Sequence, residues 1–148
     1  DRPAVIIGQI HPSEEADKCL AEAKKNPNIT IINGIDHDDP LLASAYAACD
    51  VFALPSKFET PGIAAMEAAL AGAKIVITPH GGTKDYFGDL STYVDPYSET
   101  AISAGIQEAL SKSHDDRLKK HIMDNFLWEH SAKKTAEAYS KILQQPLT

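Results

Sequence analysis

The sequence of 148 residues has little cysteine, no long hydrophobic run and no excess of positive charge. No apolar run approaches the roughly 18 residues that a membrane-spanning helix needs, and the first residues do not resemble a signal peptide. The formal net charge of −7 argues against nucleic acid and anionic membranes as general partners. We therefore expect no membrane span and no nucleic-acid partner. A nucleotide held by local amides and dipoles is still compatible with this charge.

Several kinds of chemical site are also missing. Cys19 and Cys49 form no Cys-x-x-Cys pair, and we expect two buried free thiols in a reducing compartment, hence a cytoplasmic protein. The six histidines include no pair at metal-ligand spacing on a helix, so we predict no metal site. The chain has no Gly-x-Gly-x-x-Gly, no phosphate loop ending in Gly-Lys-Ser/Thr, and no serine or cysteine in a nucleophile setting.

The size and composition are those of one globular domain. Hydrophobic residues make up 43% of the chain and charged residues 24%, which is enough to bury a substantial core. Because the chain begins with Asp1 rather than Met, we expect it to be a trimmed piece of a longer protein.

The predicted strands are continuous apolar runs at residues 4–8, 28–33, 51–54, 74–78 and 92–95. Such runs are typical of a parallel sheet covered on both faces. Between them we predict helices, one capped by Ser13 and ending near Lys25 and another over residues 41–49. Three amphipathic helices follow, marked by apolar residues within 102–110, 118–126 and 132–143. We therefore predict an α/β fold: a Rossmann-like doubly wound parallel sheet, with helices on both faces and C-terminal helices appended.

The most informative stretch is residues 50–82, which read DVFALPSKFETPGIAAMEAALAGAKIVITPHGG. A strand and a short polar loop lead into a helix made almost entirely of small apolar residues. We predict Thr60 as the cap of this helix and Pro61 as its first residue, where a missing N–H costs nothing. We predict that Gly72 ends it.

Two carboxylates in this stretch need an explanation. Glu67 is the only charged residue from position 60 to 73, and a charge on a packed helix must meet water, a partner or a ligand. The free N–H groups at the helix start, which Gly62 leaves unobstructed, form an anion site beside Glu59. Such amides, flanked by two acceptors for hydroxyl groups, suit a phosphate attached to sugars. The alternative is that Glu59 is an ordinary loop carboxylate and Glu67 the one solvent-facing residue of the helix.

The loops after the strands are where a site is expected, because parallel sheets bind ligands beyond the carboxyl ends of their strands. These loops, at residues 9–13, 34–40, 56–62, 79–83 and 95–99, hold most of the loop Gly, Pro, His and Asp. Gly81 and Gly82 suit a tight turn that lets backbone approach a ligand, and His80 could point into the same cleft. The alternatives are a plain loop and an ordinary loop histidine.

The motifs occur in a recognisable order. Pro-Ser-x-x-Glu is followed by seven residues, then Glu-Ala, a Gly, an apolar strand and Gly-Gly. This order resembles the carboxyl-terminal domain of retaining glycosyltransferases with the two-domain GT-B fold, in the family called glycosyl transferases group 1, or family four. Residues 33–35, 41–46, 93–96 and 126–129 are similar to neighbouring segments of that domain, so the resemblance covers nearly the whole chain.

The resemblance implies the donor-binding half of an enzyme that moves a hexose from a nucleoside diphosphate sugar to an acceptor hydroxyl, without cofactor or metal. Glu67 would accept hydrogen bonds from the ribose hydroxyls. Glu59 would reach the transferred sugar and hold charge near the reacting carbon. Backbone near Ile35 would meet the nucleobase. The amides of Gly62 and Ile63 would meet the sugar or the diphosphate, and Thr60 and Pro61 are also predicted to bind the substrate.

Two departures from the family pattern shape the domain prediction. Pro61 stands where the family often has an aromatic residue, and nothing in residues 1–15 matches the family's diphosphate-binding Arg and Lys. We therefore interpret Ala4–Gly8 as the second strand of a donor-binding domain over residues 1–148, truncated at its N-terminal side. The acceptor domain, for a glycan, lipid or small molecule, would be absent and the fragment inactive alone. The alternatives are a non-catalytic nucleotide-binding or structural module of the same fold, or a sugar-nucleotide epimerase of related fold.

Overall fold

The computed structural model describes residues 2–143 and divides them into two compact units, one within residues 2–44 and the other within residues 45–143. The ends of the predicted domain, residue 1 and residues 144–148, lie outside the described residues. Helices and parallel strands alternate along the chain, which confirms the predicted α/β class. The parallel strands form two sheets, one of two strands and one of three.

The first unit contains two parallel strands joined by a helix. Its elements are β1 (Ala4–Gly8), α1 (Glu14–Ala23), β2 (Ile29–Asn33) and the beginning of α2 (Pro40–Ala47). The register runs from Ala4 opposite Ile29 to Gly8 opposite Asn33. Ser13 caps α1 as predicted, because its hydroxyl accepts the N–H of Ala16 at 3.0 Å.

The apolar side chains of β1 are more exposed than a strand covered on both faces would be. Val5 is 57% exposed and Ile6 52%. Cys19, on α1, is also exposed, so the prediction of two buried thiols is wrong for this cysteine. The reason is that this small unit has few apolar elements with which to cover its strands and helix. Cys49, in the second unit, is half-buried, and its thiol donates to the carbonyl of Val51 at 2.9 Å.

The second unit contains a sheet in the order β3-β4-β5, all parallel. Its elements after α2 are β3 (Val51–Leu54), α3 (Ile63–Ala71), β4 (Lys74–Ile77), α4 (Thr83–Phe87), β5 (Thr92–Tyr93), α5 (Glu99–Ser111), α6 (Arg117–Asn125) and α7 (Trp128–Leu143). Each predicted strand and helix of this unit is present, with ends that differ by a few residues.

Helices cover both faces of this second sheet. Ile75 and Ile77 of β4 pack in the cluster that includes residues of α3 and α6. Val76, between them, points to the other face and packs with Val94 and with Ala109 of α5. All three β4 side chains are at most 2% exposed. The core thus lies on both sides of β4, which explains why this strand is a continuous apolar run.

The start of α3 differs from the prediction. Gly62 is the N-cap, with a left-handed φ of 70°, and the helix begins at Ile63. Thr60 therefore does not cap the helix and Pro61 is not its first residue. Proline disfavours helical backbone at the residue before it, and the left-handed Gly62 interrupts the helical path after it. The predicted end is confirmed, since Gly72 is the C-cap.

The terminal helix α7 carries its apolar side chains on the surface. Trp128 is 82% exposed, and Tyr139, Ile142 and Leu143 are exposed as well. Within residues 2–143, no helix combines the length and the apolar character that crossing a membrane requires.

Candidate functional site

Two loops of the second unit meet at the carboxyl ends of β3 and β4. Residues 55–62 follow β3, and residues 78–82 follow β4. The Glu59 N–H donates to the carbonyl of His80 at 3.1 Å, and the Gly82 N–H donates to the carbonyl of Glu59 at 3.0 Å. These two bonds form an isolated parallel bridge between Glu59 and Gly81. The backbone of Glu59 is therefore fixed to the second loop, beyond the end of the sheet.

The double glycine makes this approach possible. A Cβ built at Gly81 would overlap the carbonyl oxygen of Glu59, and one at Gly82 would lie 2.6 Å from the carbonyl oxygen of Thr60. Gly81 also has a φ of 97°, which other residues rarely adopt. The sequence suggested either a ligand or a plain loop as the reason for this pair. In the structure, the glycines admit the protein's own backbone and so hold the loop that carries Glu59.

Two buried threonines stabilise the second loop, residues 78–82, through hydrogen bonds. The Thr83 hydroxyl donates to the carbonyl of Thr78 at 2.8 Å, and the Thr78 hydroxyl accepts the N–H of His80 at 3.2 Å. Both threonines are fully buried. Because buried hydroxyls gain stability only when hydrogen-bonded, these contacts fix the loop in one conformation. His80 itself is exposed.

The start of α3 presents free backbone donors beside this loop. The amides of Ala65 and Met66 donate to the carbonyl of Gly62, at 3.0 and 3.1 Å. Within residues 2–143, the amides of Ile63 and Ala64 have no acceptor. The first turn of α3 contains no acidic residue. The positive end of the helix dipole is therefore open, and its role as an anion site stays a prediction.

Glu59 lies next to this helix start. Its side chain is half-buried, and in the part of the chain that the structure describes its carboxylate has no hydrogen bond or ion pair. The structure thus fixes the backbone of Glu59 firmly and leaves its carboxylate available. That combination suits a group that contacts a ligand.

Glu67 has a polar neighbour that the sequence analysis missed, the Tyr46 phenol near the end of α2. Burial raises the pKa of the Tyr46 phenol to about 12, with further contributions from its interaction with the Glu67 carboxylate and from the negative charge of that group. Glu67 is half-buried, so it is not the simple solvent-facing residue of the plainer alternative. A tyrosine in an Ala-rich helix is expected in the core, and nothing in its sequence context pointed to a polar partner.

The other predicted positions are placed as follows. Thr60, Pro61, Gly62 and Ile63 form the turn into α3, although Pro61 has no N–H to offer a ligand. Ile35 follows β2 in the first unit and is half-buried, and its role toward a nucleobase stays a prediction.

A second residue of the β3 loop is also held from another element. The Lys57 ammonium lies 5.9 Å from the centre of the Tyr97 ring, which follows β5. Both side chains are exposed, so this cation–π contact adds little stability. The residues that the structure describes contain no group of three or more His, Cys, Asp or Glu side chains arranged to hold a metal ion.

Comparison with known proteins identifies the family of the chain. The family model described as glycosyl transferases group 1 matches residues 1–125. A glycogen synthase of Rhizobium etli is 25% identical, over 95% of this chain and 32% of that enzyme. The chain therefore spans about a third of the length of such relatives.

Solved structures show the same fold. Sucrose-phosphate synthase from Thermosynechococcus elongatus superposes with a TM-score of 0.79 at 22% identity, over 94% of this chain and 38% of that one. The catalytic domain of starch synthase IV from Arabidopsis thaliana, bound to ADP and acarbose, gives 0.68 at 19% identity, over 97% and 39%. At these identities the likeness concerns the fold, which is the GT-B glycosyltransferase fold.

Proposed function

This chain belongs to the glycosyl transferases group 1 family, and on that premise we propose that it is the donor-binding domain of a retaining glycosyltransferase. The domain would bind a nucleoside diphosphate sugar. The complete protein would move a hexose from it to a hydroxyl of a glycan, lipid or small molecule. The observation that carries the proposal is the available Glu59 carboxylate, fixed by its backbone beside the free amides of Ile63 and Ala64.

The diphosphate fits the start of α3. Its oxygens would accept the N–H groups of Ile63 and Ala64, where the helix dipole favours negative charge. These amides are already oriented, so they need no rearrangement when negative charge grows on the leaving phosphate. We propose that the dipoles of these N–H groups stabilise the negative charge on the departing phosphate. In the proposed reaction no metal or cofactor takes part.

Glu59 fits the reacting carbon. As the bond from the sugar carbon to the phosphate oxygen breaks, positive charge develops on that carbon, and a nearby carboxylate stabilises it. The acceptor oxygen would attack from the same face and pass its proton to the leaving phosphate. The new bond then has the configuration of the old one. This route needs no protein nucleophile, and the sequence contains none in a suitable setting.

Glu67 fits the ribose. It lies about one turn into α3, and its carboxylate can accept about four hydrogen bonds. Ribose hydroxyls would supply some of them. Contact with the ribose would explain why a helix that is otherwise entirely apolar carries a charge at this one position.

The test uses the complete protein. A thermal-shift screen against nucleoside diphosphate sugars identifies the donor, and acceptor-dependent release of the nucleoside diphosphate measures transfer. Nuclear magnetic resonance of the product gives its anomeric configuration. We expect release that depends on an acceptor, with the configuration retained. Donor binding without transfer would favour the non-catalytic module, and an inverted product would refute the retaining mechanism.

A further inference from the structure

Lys57 is a positively charged residue that the proposed mechanism does not use. It lies in the loop between β3 and α3, two positions before Glu59. A lysine elsewhere in the second unit, Lys120, pairs with a carboxylate. Lys57 forms no ion pair or hydrogen bond with any of residues 2–143, and its ammonium faces the Tyr97 ring instead, 5.9 Å from the ring centre. Its charge therefore has no anionic partner among these residues.

The order of the strands places this ammonium at the carboxyl edge of the sheet. Lys57 follows β3 and Tyr97 follows β5, and β4 lies between these two strands. Neighbouring strands are about 4.8 Å apart, so the contact crosses roughly 10 Å of the edge, past the end of β4. Residues 78–82 follow that end, and their backbone bonds to the backbone of Glu59. The ammonium therefore lies at the edge that carries Glu59 and leads into α3.

Tyr97 orients the ammonium without satisfying it. The Tyr97 N–H donates to the Asp95 carboxylate at 2.9 Å, and the Ser98 N–H donates to the Asp95 carbonyl at 3.2 Å, so the backbone of this turn is fixed. The Tyr97 ring is 70% exposed, and a cation–π contact at an exposed site is weak. An ammonium has three N–H donors, which prefer oxygen acceptors. Lys57 can therefore leave the ring for a phosphate oxygen at little energetic cost.

Lys57 and Glu59 carry opposite charges and are not paired with each other, although they are two positions apart in the part of the chain that the structure describes. When the bond between the sugar carbon and the β-phosphate oxygen breaks, negative charge grows on the phosphate and positive charge grows on the carbon. A free cation and a free carboxylate in one loop match the two ends of this charge separation. The proposed mechanism assigns the carboxylate to the carbon, which leaves the ammonium for the phosphate.

We propose that Lys57 binds the β-phosphate of the donor, which carries the sugar and leaves with the nucleotide. This inference rests on the proposed function, in which the diphosphate binds at the start of α3. The amides of Ile63 and Ala64 offer only partial positive charge there, and the full charge of Lys57 adds a charge-assisted hydrogen bond. Lys57 holds the β-phosphate before transfer and stabilises the negative charge that grows on it during transfer.

Contact with the β-phosphate predicts a specific loss. A nucleoside monophosphate lacks the β-phosphate, so its binding should depend little on Lys57. If Lys57 only supported the conformation of the loop, its replacement would weaken the monophosphate and the diphosphate by the same factor. The ratio of the two dissociation constants therefore separates the two roles, and any loss of folded protein cancels in this ratio.

The experiment uses the complete protein and removes the charge with Lys57→Gln. Calorimetry would measure dissociation constants for ADP, GDP and UDP and for the monophosphate of whichever base binds. We expect the preference for the diphosphate to fall about tenfold, the lower end of the range for a hydrogen bond to a charged group, because Lys57 is exposed. The fall should be smaller at high salt, which screens exposed charges. Lys57→Arg keeps the charge and should stay within about threefold of the wild-type preference.

Lys133→Gln is the matched control. Lys133 is an exposed lysine of α7, so its replacement changes the net charge of the protein by the same amount on a different element. Its preference for the diphosphate should equal that of the wild type. An equal fall in Lys133→Gln and Lys57→Gln would show that net charge, and not contact with the β-phosphate, sets the preference, and would refute the inference.

The outcomes separate this inference from the function on which it rests. If the complete protein binds none of these nucleotides, the proposed function fails and the role of Lys57 fails with it. Binding that weakens in Glu67→Ala, together with an unchanged preference for the diphosphate in Lys57→Gln, would refute the role of Lys57 and leave the proposed function intact. Equal weakening of both nucleotides by Lys57→Gln would show that Lys57 supports the loop and does not contact the β-phosphate.

Discussion

At the scale of single residues, the two carboxylates differ in their surroundings. Glu67 has the Tyr46 phenol as a polar neighbour, whereas the Glu59 carboxylate has no partner among residues 2–143. A carboxylate with a polar neighbour suits steady binding, and an available one suits a contact that strengthens as charge develops. The two residues should therefore fail in different ways when they are replaced.

Glu67→Ala should weaken binding of the nucleotide. Charge-assisted hydrogen bonds are worth about 1.5–3 kcal/mol, so we expect about a ten- to a hundredfold loss of affinity for the donor. Calorimetry on the complete protein measures this directly. Glu137→Ala, which removes an exposed carboxylate of α7, is the control and should bind normally. Unchanged affinity in Glu67→Ala would remove the ribose assignment.

Glu59→Gln should affect turnover more than binding. The substitution keeps the size of the side chain and removes the charge that would stabilise the reacting carbon, so kcat should fall more than the donor KM rises. Steady-state kinetics with varied donor concentration separates the two constants. If affinity were lost and turnover kept, Glu59 would be a binding residue alone.

Tyr46 should make the fold sensitive to alkaline pH. Its folded pKa of about 12 exceeds the ordinary value near 10, so the stability it contributes is complete below about pH 10 and is lost as the pH rises toward 12. Tyr46→Phe lacks this contribution. We expect the free energy of unfolding to fall less steeply between about pH 10 and 12 in the variant, as urea titrations would show. Parallel pH profiles would contradict the raised pKa.

The sequence analysis identified functional residues whose polarity differs from that of their sequence neighbours. It missed residues whose polarity is similar to that of their neighbours. Glu67 was identifiable because a charge on an apolar helix needs a reason. Tyr46 is an amphipathic residue in an apolar segment, and its polar neighbour lies 21 positions away in the sequence. The phenol comes near the carboxylate only through the packing of α2 and β3. No local pattern in the sequence indicates this proximity.

At the scale of elements, the β3 and β4 loops depend on the double glycine. Gly81→Ala would place a methyl group against the carbonyl of Glu59, at a φ that alanine rarely adopts. We expect about 1–3 kcal/mol less stability and a fall in kcat, because the Glu59 backbone must move. Chemical unfolding and steady-state kinetics measure the two effects. Gly8→Ala is the control, because a Cβ there meets nothing within 4 Å. A Gly81→Ala variant with unchanged kcat would show that the bridge does not position Glu59.

Strands and helices were predictable where one signal dominated. Continuous apolar runs located β3 and β4, and the caps Ser13 and Gly72 confirmed two helix ends. The start of α3 was wrong because three signals compete there. Thr60 and Pro61 favour an early start, whereas the left-handed Gly62 delays the helix by two residues. That choice is decided by the bridge to the second loop, which is a tertiary contact.

At the scale of the whole molecule, we predict that the 148-residue chain alone transfers no sugar. Holding two substrates in reactive geometry contributes roughly 7–11 kcal/mol to lowering a barrier, and the chain spans about a third of its relatives' length. Donor affinity should be weak too, roughly millimolar, or about 4 kcal/mol. The purified fragment is incubated with donors and acceptors and released nucleoside diphosphate is measured. Acceptor-dependent release at the rate of the complete protein would disprove the predicted boundaries or the mechanism.

The exposed position of Trp128 at the start of α7 has an optical consequence. It is the single tryptophan of the sequence, so the indole emission of the protein reports one point on its surface. Because that indole already faces water, unfolding should change its emission wavelength little, and tryptophan fluorescence is a poor monitor of folding here. For the same reason it is a sensitive monitor of anything that covers α7. A blue shift, or protection from acrylamide quenching, would report such contact without any label.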